Sequence, residues 1–303
     1  MDGLLQLRAP MIRQYYLAAS TEEAIAYLSA HAGDAQVLGG GTTLLPLVLR
    51  GKALATYLVD VSRVASMRRI RLEPSHLLLG GAVTLAQMLR SESLPESLAV
   101  LKDSAEIAPL SRLHSLATLA GSIVSAYGTS EIAATLIALG AEAEIANLTG
   151  SQWLPVGGLL SRPGTCRLNS MSEILVSLRI RLPQPGEGAG IAQADTSEGA
   201  PGGAPVIAIS LSFDEIQNLL SRITVVLGLH GAAPQVSRLD ELADGRTATV
   251  DTMRRSIAQW ATARMIDVTE EAPDRARAVA GAAQRALEVA LTRARASLAN
   301  GML

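Results

Sequence analysis

Apolar positions recur at helical spacing over Thr21 to Ala30. Ala24, Ile25 and Leu28 mark one face, Glu22 and Glu23 fill the first turn, and Thr21 is a candidate N-cap. Gly33-Asp34 breaks the pattern. A short strand over Gln36 to Leu38 runs into Gly39-Gly40-Gly41-Thr42-Thr43, followed by a helix over Leu44 to Leu49 and a strand over Tyr57 to Val61. This strand, glycine loop, helix, strand order predicts an α/β unit. Further along, Leu77 to Leu79 predicts a strand, and Thr84 caps a helix through Leu85, Met88 and Leu89. Helices are expected over Leu98 to Ile107 and Ile132 to Leu139, and strands over Glu142 to Ala146 and Glu173 to Leu182. Leu116 to Ser125 is uncharged and contains Gly121, Ser122 and Ser125, which excludes a simple surface helix. Gln184 to Pro205, rich in Gly, Pro, Ala and Ser, reads as a linker or mobile loop. Beyond it, Val206 to Phe213 and Arg222 to Leu229 alternate as strands do. Thr252 to Trp260 and Asp274 to Leu298 are helical, with arginine-rich outer faces that include Arg275, Arg277, Arg285, Arg293 and Arg295. An α+β unit of antiparallel strands and helices is therefore expected after residue 184.

Composition narrows the class. A chain of 303 residues, 49% hydrophobic, buries a sizeable core and accommodates two or three domains. A formal net charge of −2 excludes a strongly basic nucleic-acid binder. The single cysteine, Cys166, excludes an internal disulfide framework, a Cys₄ zinc site and a cysteine-ligated iron–sulfur cluster built by this chain alone. His31, His76, His114 and His230 are not spaced as metal-ligand pairs. No apolar run reaches bilayer length, and Met1 to Tyr16 lacks the apolar stretch of a secretory signal, so a cytoplasmic protein without a transmembrane segment is expected. Aromatic residues make up only 3%, so small residues must fill the core in their place.

The glycine loop is the sharpest chemical feature. Its glycines permit positive φ and close approach, and consecutive N–H groups there form a nest for an anion. A diphosphate is the natural guest, and a side chain at Gly40 is expected to stand where the diphosphate lies. A tight strand-to-helix turn that binds nothing uses the same residue types. The loop is neither GxGxxG, since Leu44 replaces the third glycine, nor a GxxxxGK[ST] loop. A second small-residue segment, Thr118-Leu119-Ala120-Gly121-Ser122, is followed by Glu131. That carboxylate either accepts hydrogen bonds from sugar or ribityl hydroxyls or complements the dipole of the next helix. Together the two loops favour a long phosphate-bearing ligand. Histidine 114 is expected on the surface, Cys166 as a buried small residue, and Trp153 and Trp260 as packing or interface residues. No Ser–His–Asp or paired-carboxylate arrangement stands out.

The order of these pieces resembles the FAD-binding medium subunit of molybdenum hydroxylases, the group that includes the flavin subunits of aerobic carbon monoxide dehydrogenase and xanthine dehydrogenase. The resemblance rests on "YYLAASTEEAIAYL", "VLGGGTTLLPLVLRG", "YLVDVSRVASMRRI", "LLLGGAVTLAQML", "ATLAGSIVSAYGTSEIAATLIALGAEAEI" and "EILVSLRIRLP". It covers residues 15–183 well and the remainder weakly. It implies two small α/β FAD-binding subdomains (PCMH-like), at 1–60 and 61–183, followed by a C-terminal α+β domain at 184–303. It implies that Leu38, Gly39, Gly40, Gly41, Thr42, Thr43 and Leu44 hold the FAD diphosphate, with Thr118, Gly121 and Ser122 from the second loop. Glu131 takes the place of an aspartate that contacts the ribityl chain, and Leu175 or Val176 touches the flavin ring side. The implied function is electron transfer in a complex with a molybdopterin-binding large subunit and a [2Fe–2S] small subunit, a dimer of heterotrimers in which molybdopterin and clusters sit on the partners. Four departures from the family pattern stand out, the first being Ala120 in place of the first glycine of the family's second loop. Leu113-His114-Ser115 replaces "IRN", Tyr127-Gly128 falls where the family has "SP", and residues 190–210 contain no lysine or arginine. The last implies a shifted flavin potential, weaker FAD retention, or a flavin-free structural subunit.

Overall fold

Local capping chemistry sets the first elements. In the computed structural model, β1 (Gln14–Leu17) leads to α1 (Thr21–Ala30), whose N-cap is Ser20 rather than Thr21: the Ser20 hydroxyl accepts from the Glu23 amide at 3.2 Å. The structure describes residues 12–53, 55–108, 111–125, 130–160, 165–195, 203–229, 232–238, 241–242, 248–269 and 273–300. The readings made above at residues 1–11, Tyr127, Gly128, 196–202 and His230 lie outside these. After α1 come β2 (Ala35–Leu38), α2 (Leu44–Leu49) and β3 (Tyr57–Asp60). The three strands form a parallel sheet in the order β1-β3-β2, with Leu38 and Leu17 both in register with Asp60. Their carboxyl ends therefore share one edge, where open α/β sheets place ligands, and the glycine loop starts there. Asp60 is buried at this edge, accepting from the Tyr15 hydroxyl and from the Ser62 amide at 2.6 Å; the hydrogen bond to Asp60 pushes the Tyr15 phenol up to about 12.

A second, antiparallel sheet follows the order β4-β5-β8-β6-β7, built from Ile70–Leu72 (β4), His76–Gly80 (β5), Glu142–Asn147 (β6), Gly150–Pro155 (β7) and Ile174–Arg181 (β8). Its inner face carries Leu77, Leu79, Ile145, Leu178 and Ile180. Against that face lie α3 (Leu85–Arg90), α4 (Val100–Ile107), α5 (Leu119–Val124), α6 (Glu131–Ala138) and the short α7 (Val156–Leu159). Thr84 starts α3 with a capping box closed by Gln87. The charge-free stretch that excludes a surface helix is indeed an inward one, with Leu119 and Ile123 fully buried. His114, expected at the surface, is buried with Nε2 3.2 Å from the Ala108 carbonyl.

The third sheet has the order β12-β11-β10-β9, formed by Glu187–Gln193 (β9), Val206–Asp214 (β10), Leu219–Gly228 (β11) and Gln235–Arg238 (β12); Ala248–Thr249 (β13) pairs with β11. Two long helices, α8 (Val250–Thr269) and α9 (Pro273–Asn300), cover it. Here the linker reading of Gln184 to Pro205 is overturned: its first half is β9, paired with β10 from Glu187 to Gln193. Its glycines are packing residues. A Cβ at Gly188 would stand 2.1 Å from the Ala290 carbonyl oxygen, and one at Gly190 would stand 2.4 Å from that of Ala286. Glycine in this strand admits the α9 backbone. Ala189 and Ile191, on the opposite face, join the core around α4 and α6. The arginines of α9 are not all solvated: Arg293 reaches inward to Asp103 of α4 at 2.6 Å and to the Ala189 carbonyl at 3.0 Å.

These contacts make Gly190→Ala disruptive, with an expected loss of about 1–3 kcal/mol from overpacking. Gly158→Ala, where a Cβ meets nothing within 4 Å, is expected to be near neutral. Urea unfolding of the two variants measures the contrast.

Candidate functional site

The glycine loop and the second small-residue segment meet across a cleft of about 700 Å³, within the range of small-molecule and cofactor sites. The contact between them is made by backbone. A Cβ on Gly39 would lie 2.9 Å from Thr118 Oγ1, and one on Gly40 would lie 1.7 Å from the Leu116 carbonyl oxygen. Gly40 therefore admits protein backbone rather than opening onto the ligand's place, as the sequence suggested. Gly41 has φ of +71°, which gives glycine its second role in the loop.

The two loops differ in what their amides offer. In the second, the amides of Leu119 to Ser122 are all used. The Leu119 amide bonds the Val83 carbonyl at 2.9 Å and that of Ala120 the Gly81 carbonyl at 3.0 Å; Gly121 bonds Thr118 Oγ1 at 3.1 Å and Ser122 the Thr118 carbonyl at 2.9 Å. Thr118 is thus the N-cap of α5. In the first loop, the N–H groups of Gly39, Gly40, Gly41, Thr42 and Thr43 donate to no described residue. Orphaned amides in a concave loop are the donor set an anion requires.

Of the residues singled out from sequence, Leu38 through Leu44, Thr118, Gly121, Ser122, Glu131 and Leu175 line this cleft. Val176 does not; it packs towards Tyr16 and Ile174, and its carbonyl accepts from the Gly81 amide at 2.7 Å. The sequence reading missed the strap that closes the opposite wall, where Cys166, Leu168, Ser170 and Glu173 also line the cleft. The strap is tied to β2 by the Val37 amide on the Ser170 carbonyl at 2.9 Å and by Gln36 Nε2 on Ser170 Oγ at 2.8 Å. Its sequence signal was the turn at Asn169, whose side chain accepts from the Met171 amide at 3.1 Å. Burial pushes the Cys166 thiol up, so it is no nucleophile at neutral pH.

Glu131 sits at the start of α6, behind the Ser130 N-cap, and is 5% exposed. Burial raises its carboxyl from 4.5 to about 7, partly offset by a backbone hydrogen bond. Residues 10–185 match the FAD binding domain in molybdopterin dehydrogenase. The chain belongs to that family.

Among relatives, it is 27% identical over 146 residues to the 6-hydroxypseudooxynicotine dehydrogenase complex subunit alpha of Paenarthrobacter nicotinovorans, covering 48% of this chain and 49% of that one. It is 27% identical over 177 residues to the carbon monoxide dehydrogenase medium chain of Hydrogenophaga pseudoflava, covering 58% of this chain and 61% of that one. The matched stretch thus spans about half to three fifths of the length of these relatives. A solved carbon monoxide dehydrogenase from Hydrogenophaga pseudoflava, lacking the Mo-pyranopterin moiety, superposes with a TM-score of 0.79 at 23% identity, covering 94% of this chain and 99% of that one. This shared fold extends through the third sheet, well beyond the family match.

The FAD-binding family fold here carries a pH-sensitive group. The folded state holds the Glu131 proton more tightly than the unfolded chain does. Its contribution to stability is complete below pH 4.5 and is lost as pH rises through about 7. Glu131→Gln is expected to remove that slope, on the order of 3 kcal/mol across the window. Denaturant unfolding at several pH values measures it.

Proposed function

We propose that this chain is the FAD-binding electron-transfer subunit of a multi-subunit molybdenum hydroxylase. The observation that carries the reading is the run of unpaired amides from Gly39 to Thr43, residues that line the cleft, in a chain of an FAD-binding family. The donor set suits a diphosphate, the cleft volume suits an extended cofactor, and apolar Leu38, Leu44 and Leu175 suit its rings. Bound FAD supplies reversible one- and two-electron chemistry. The residues of this chain hold and orient it, and contribute no acid, base or nucleophile to the oxidation of substrate.

In this reading, substrate is oxidised at a molybdopterin centre on a large subunit, electrons arrive through [2Fe–2S] clusters on a small subunit, and an external acceptor removes them. The single cysteine supports placing the clusters on a partner. We propose the cytoplasm as location and a dimer of heterotrimers as assembly, with units at 1–60, 61–183 and 184–303. Among the described residues, no helix is long and apolar enough to cross a membrane.

The chain purified with its co-expressed neighbours is expected to carry visible flavin absorbance and to release FAD on denaturation. Gly39→Ala, which pushes against Thr118 where the loops meet, is expected to weaken FAD binding on the order of tenfold, about 1.4 kcal/mol. Unchanged flavin content in that variant removes the loop from the binding site. A wild-type complex with no flavin leaves a structural subunit that has lost the cofactor.

A further inference from the structure

One side chain of the third sheet touches a residue that lines the cleft. Gln193 ends β9, and strand alternation sets it on the face of Ala189 and Ile191, towards α6. Its Nε2 donates to Glu131 Oε1 at 3.4 Å, the one side-chain hydrogen bond that Glu131 makes among the described residues. The backbone beneath Gln193 is held firmly. Arg285 of α9 donates to the Gln193 carbonyl at 2.7 Å and pairs with Asp195 at 2.9 Å, and the Ala194 amide bonds the Pro205 carbonyl at 2.8 Å.

No described cation pairs with Glu131. On α4, Asp103 is matched by Arg293 at 2.6 Å, Lys102 forms no ion pair with Glu131, and Glu106 is itself an acid. On β9, Glu187 is matched by Arg181 at 2.7 Å and by Arg222 of β11, and on β10 Asp214 caps the exposed turn at Ile216. Helices α5 and α7 carry no titratable side chain. Across the cleft, Glu173 accepts from the Asn169 amide at 2.9 Å, Cys166 is kept neutral, and Arg50 lines the wall without pairing to Glu131. A buried carboxylate with one backbone hydrogen bond and one long amide contact is incompletely compensated, whereas a carboxylic acid in the same place is nearly satisfied. Its Oε1 accepts from Gln193, and only its Oε2–H needs an acceptor.

We propose that Glu131 stands in the cleft as a neutral acid, oriented by Gln193 as a positioning residue, and donates its proton in a hydrogen bond to a hydroxyl of the ligand. This rests on the FAD reading, since a ribityl chain supplies such hydroxyls. It reverses the role expected from sequence, in which Glu131 accepts. It also makes binding consume a proton whenever Glu131 is ionised in the free protein, so affinity is linked to pH.

The test is titration of the flavin-free complex with FAD, read by quenching of flavin fluorescence between about pH 5.5 and 9. Wild-type affinity is expected to be constant in acid and to fall above about pH 7, approaching tenfold per pH unit. Glu131→Gln, permanently neutral and able to donate, is expected to bind with no pH dependence and to match the wild type in acid. Gln193→Ala is expected to bind more weakly with the fall displaced to higher pH, because a donor to the ionised carboxyl has been removed; a merely structural Gln193 would weaken binding without moving it. A flat wild-type profile overturns the proposal while leaving FAD binding intact, as does a Gln193→Ala profile with unmoved onset. Absence of FAD binding at every pH overturns the cofactor reading and this proposal with it. If Glu131→Gln does not fold, the wild-type and Gln193→Ala profiles decide between these outcomes.

Discussion

The cleft depends on a backbone-to-backbone contact. Gly40 lies so close to the Leu116 carbonyl that no side chain fits between them, and Gly39 is similarly close to the Thr118 hydroxyl. That contact fixes the glycine loop against the second unit without using the loop's own amides. The N–H groups of Gly39 through Thr43 are consequently left over. Water satisfies such donors at modest cost, but five in succession form an electrostatic feature that an anion exploits better. The parallel sheet contributes the starting position: Leu38 and Asp60 end in register, so the loop leaves from the edge where neighbouring carboxyl ends leave a crevice. Thr118 joins the two functions. It caps α5 through the Gly121 amide and offers the hydroxyl against which Gly39 rests.

The elements of the first two sheets were legible because their signals are local. Thr84 and its capping box, the helix over Leu44–Leu49 and the strand over Glu142–Asn147 follow from caps, turn residues and alternation within a few positions. The cleft lining was legible for the same reason, since small residues with hydroxyls cluster in two loops. What escaped required partners distant in sequence. Gly188 and Gly190 carry the composition of a linker, and only the approach of Ala286 and Ala290, about a hundred residues later, makes them strand residues. His114 carries nothing in its neighbours to say that it is buried against Ala108. Leu175 and Val176 were inseparable by residue type; in the structure Leu175 lines the cleft, beside Ile174, and Val176 does not.

The same exchange of large residues for close approach runs through the third sheet. With aromatic residues at 3%, its core is built mainly from alanine, valine, leucine and isoleucine around Phe213, Met253 and Met265, and α9 meets β9 through Ala286, Ala290 and Ala294. Backbones near van der Waals contact gain many weak dispersion contacts at little side-chain entropy cost. The arrangement is also intolerant, because a glycine facing a helix backbone has no rotamer through which to relieve an added methyl group.

That intolerance bears on the cleft. Gln193 lies three residues beyond Gly190 on a strand whose register is set by β10 and whose distance from α9 is set by its glycines. Arg285 and Arg293, both from α9, bond the carbonyls of Gln193 and Ala189. The side chain that reaches Glu131 is therefore aimed by the packing of the third sheet, not by the loops around the cleft. The absence of lysine and arginine from residues 190–210 has a physical counterpart here. The segment delivers a neutral amide to a buried carboxyl, while the nearby cations of α9 are engaged by Asp195 and Asp103. A cation in the position of Gln193 would ionise Glu131 and turn a donor into an acceptor. The polar lining of the cleft then combines the unpaired amides of the glycine loop, the Glu131 carboxyl, and the charged side chains of Arg50 and Glu173.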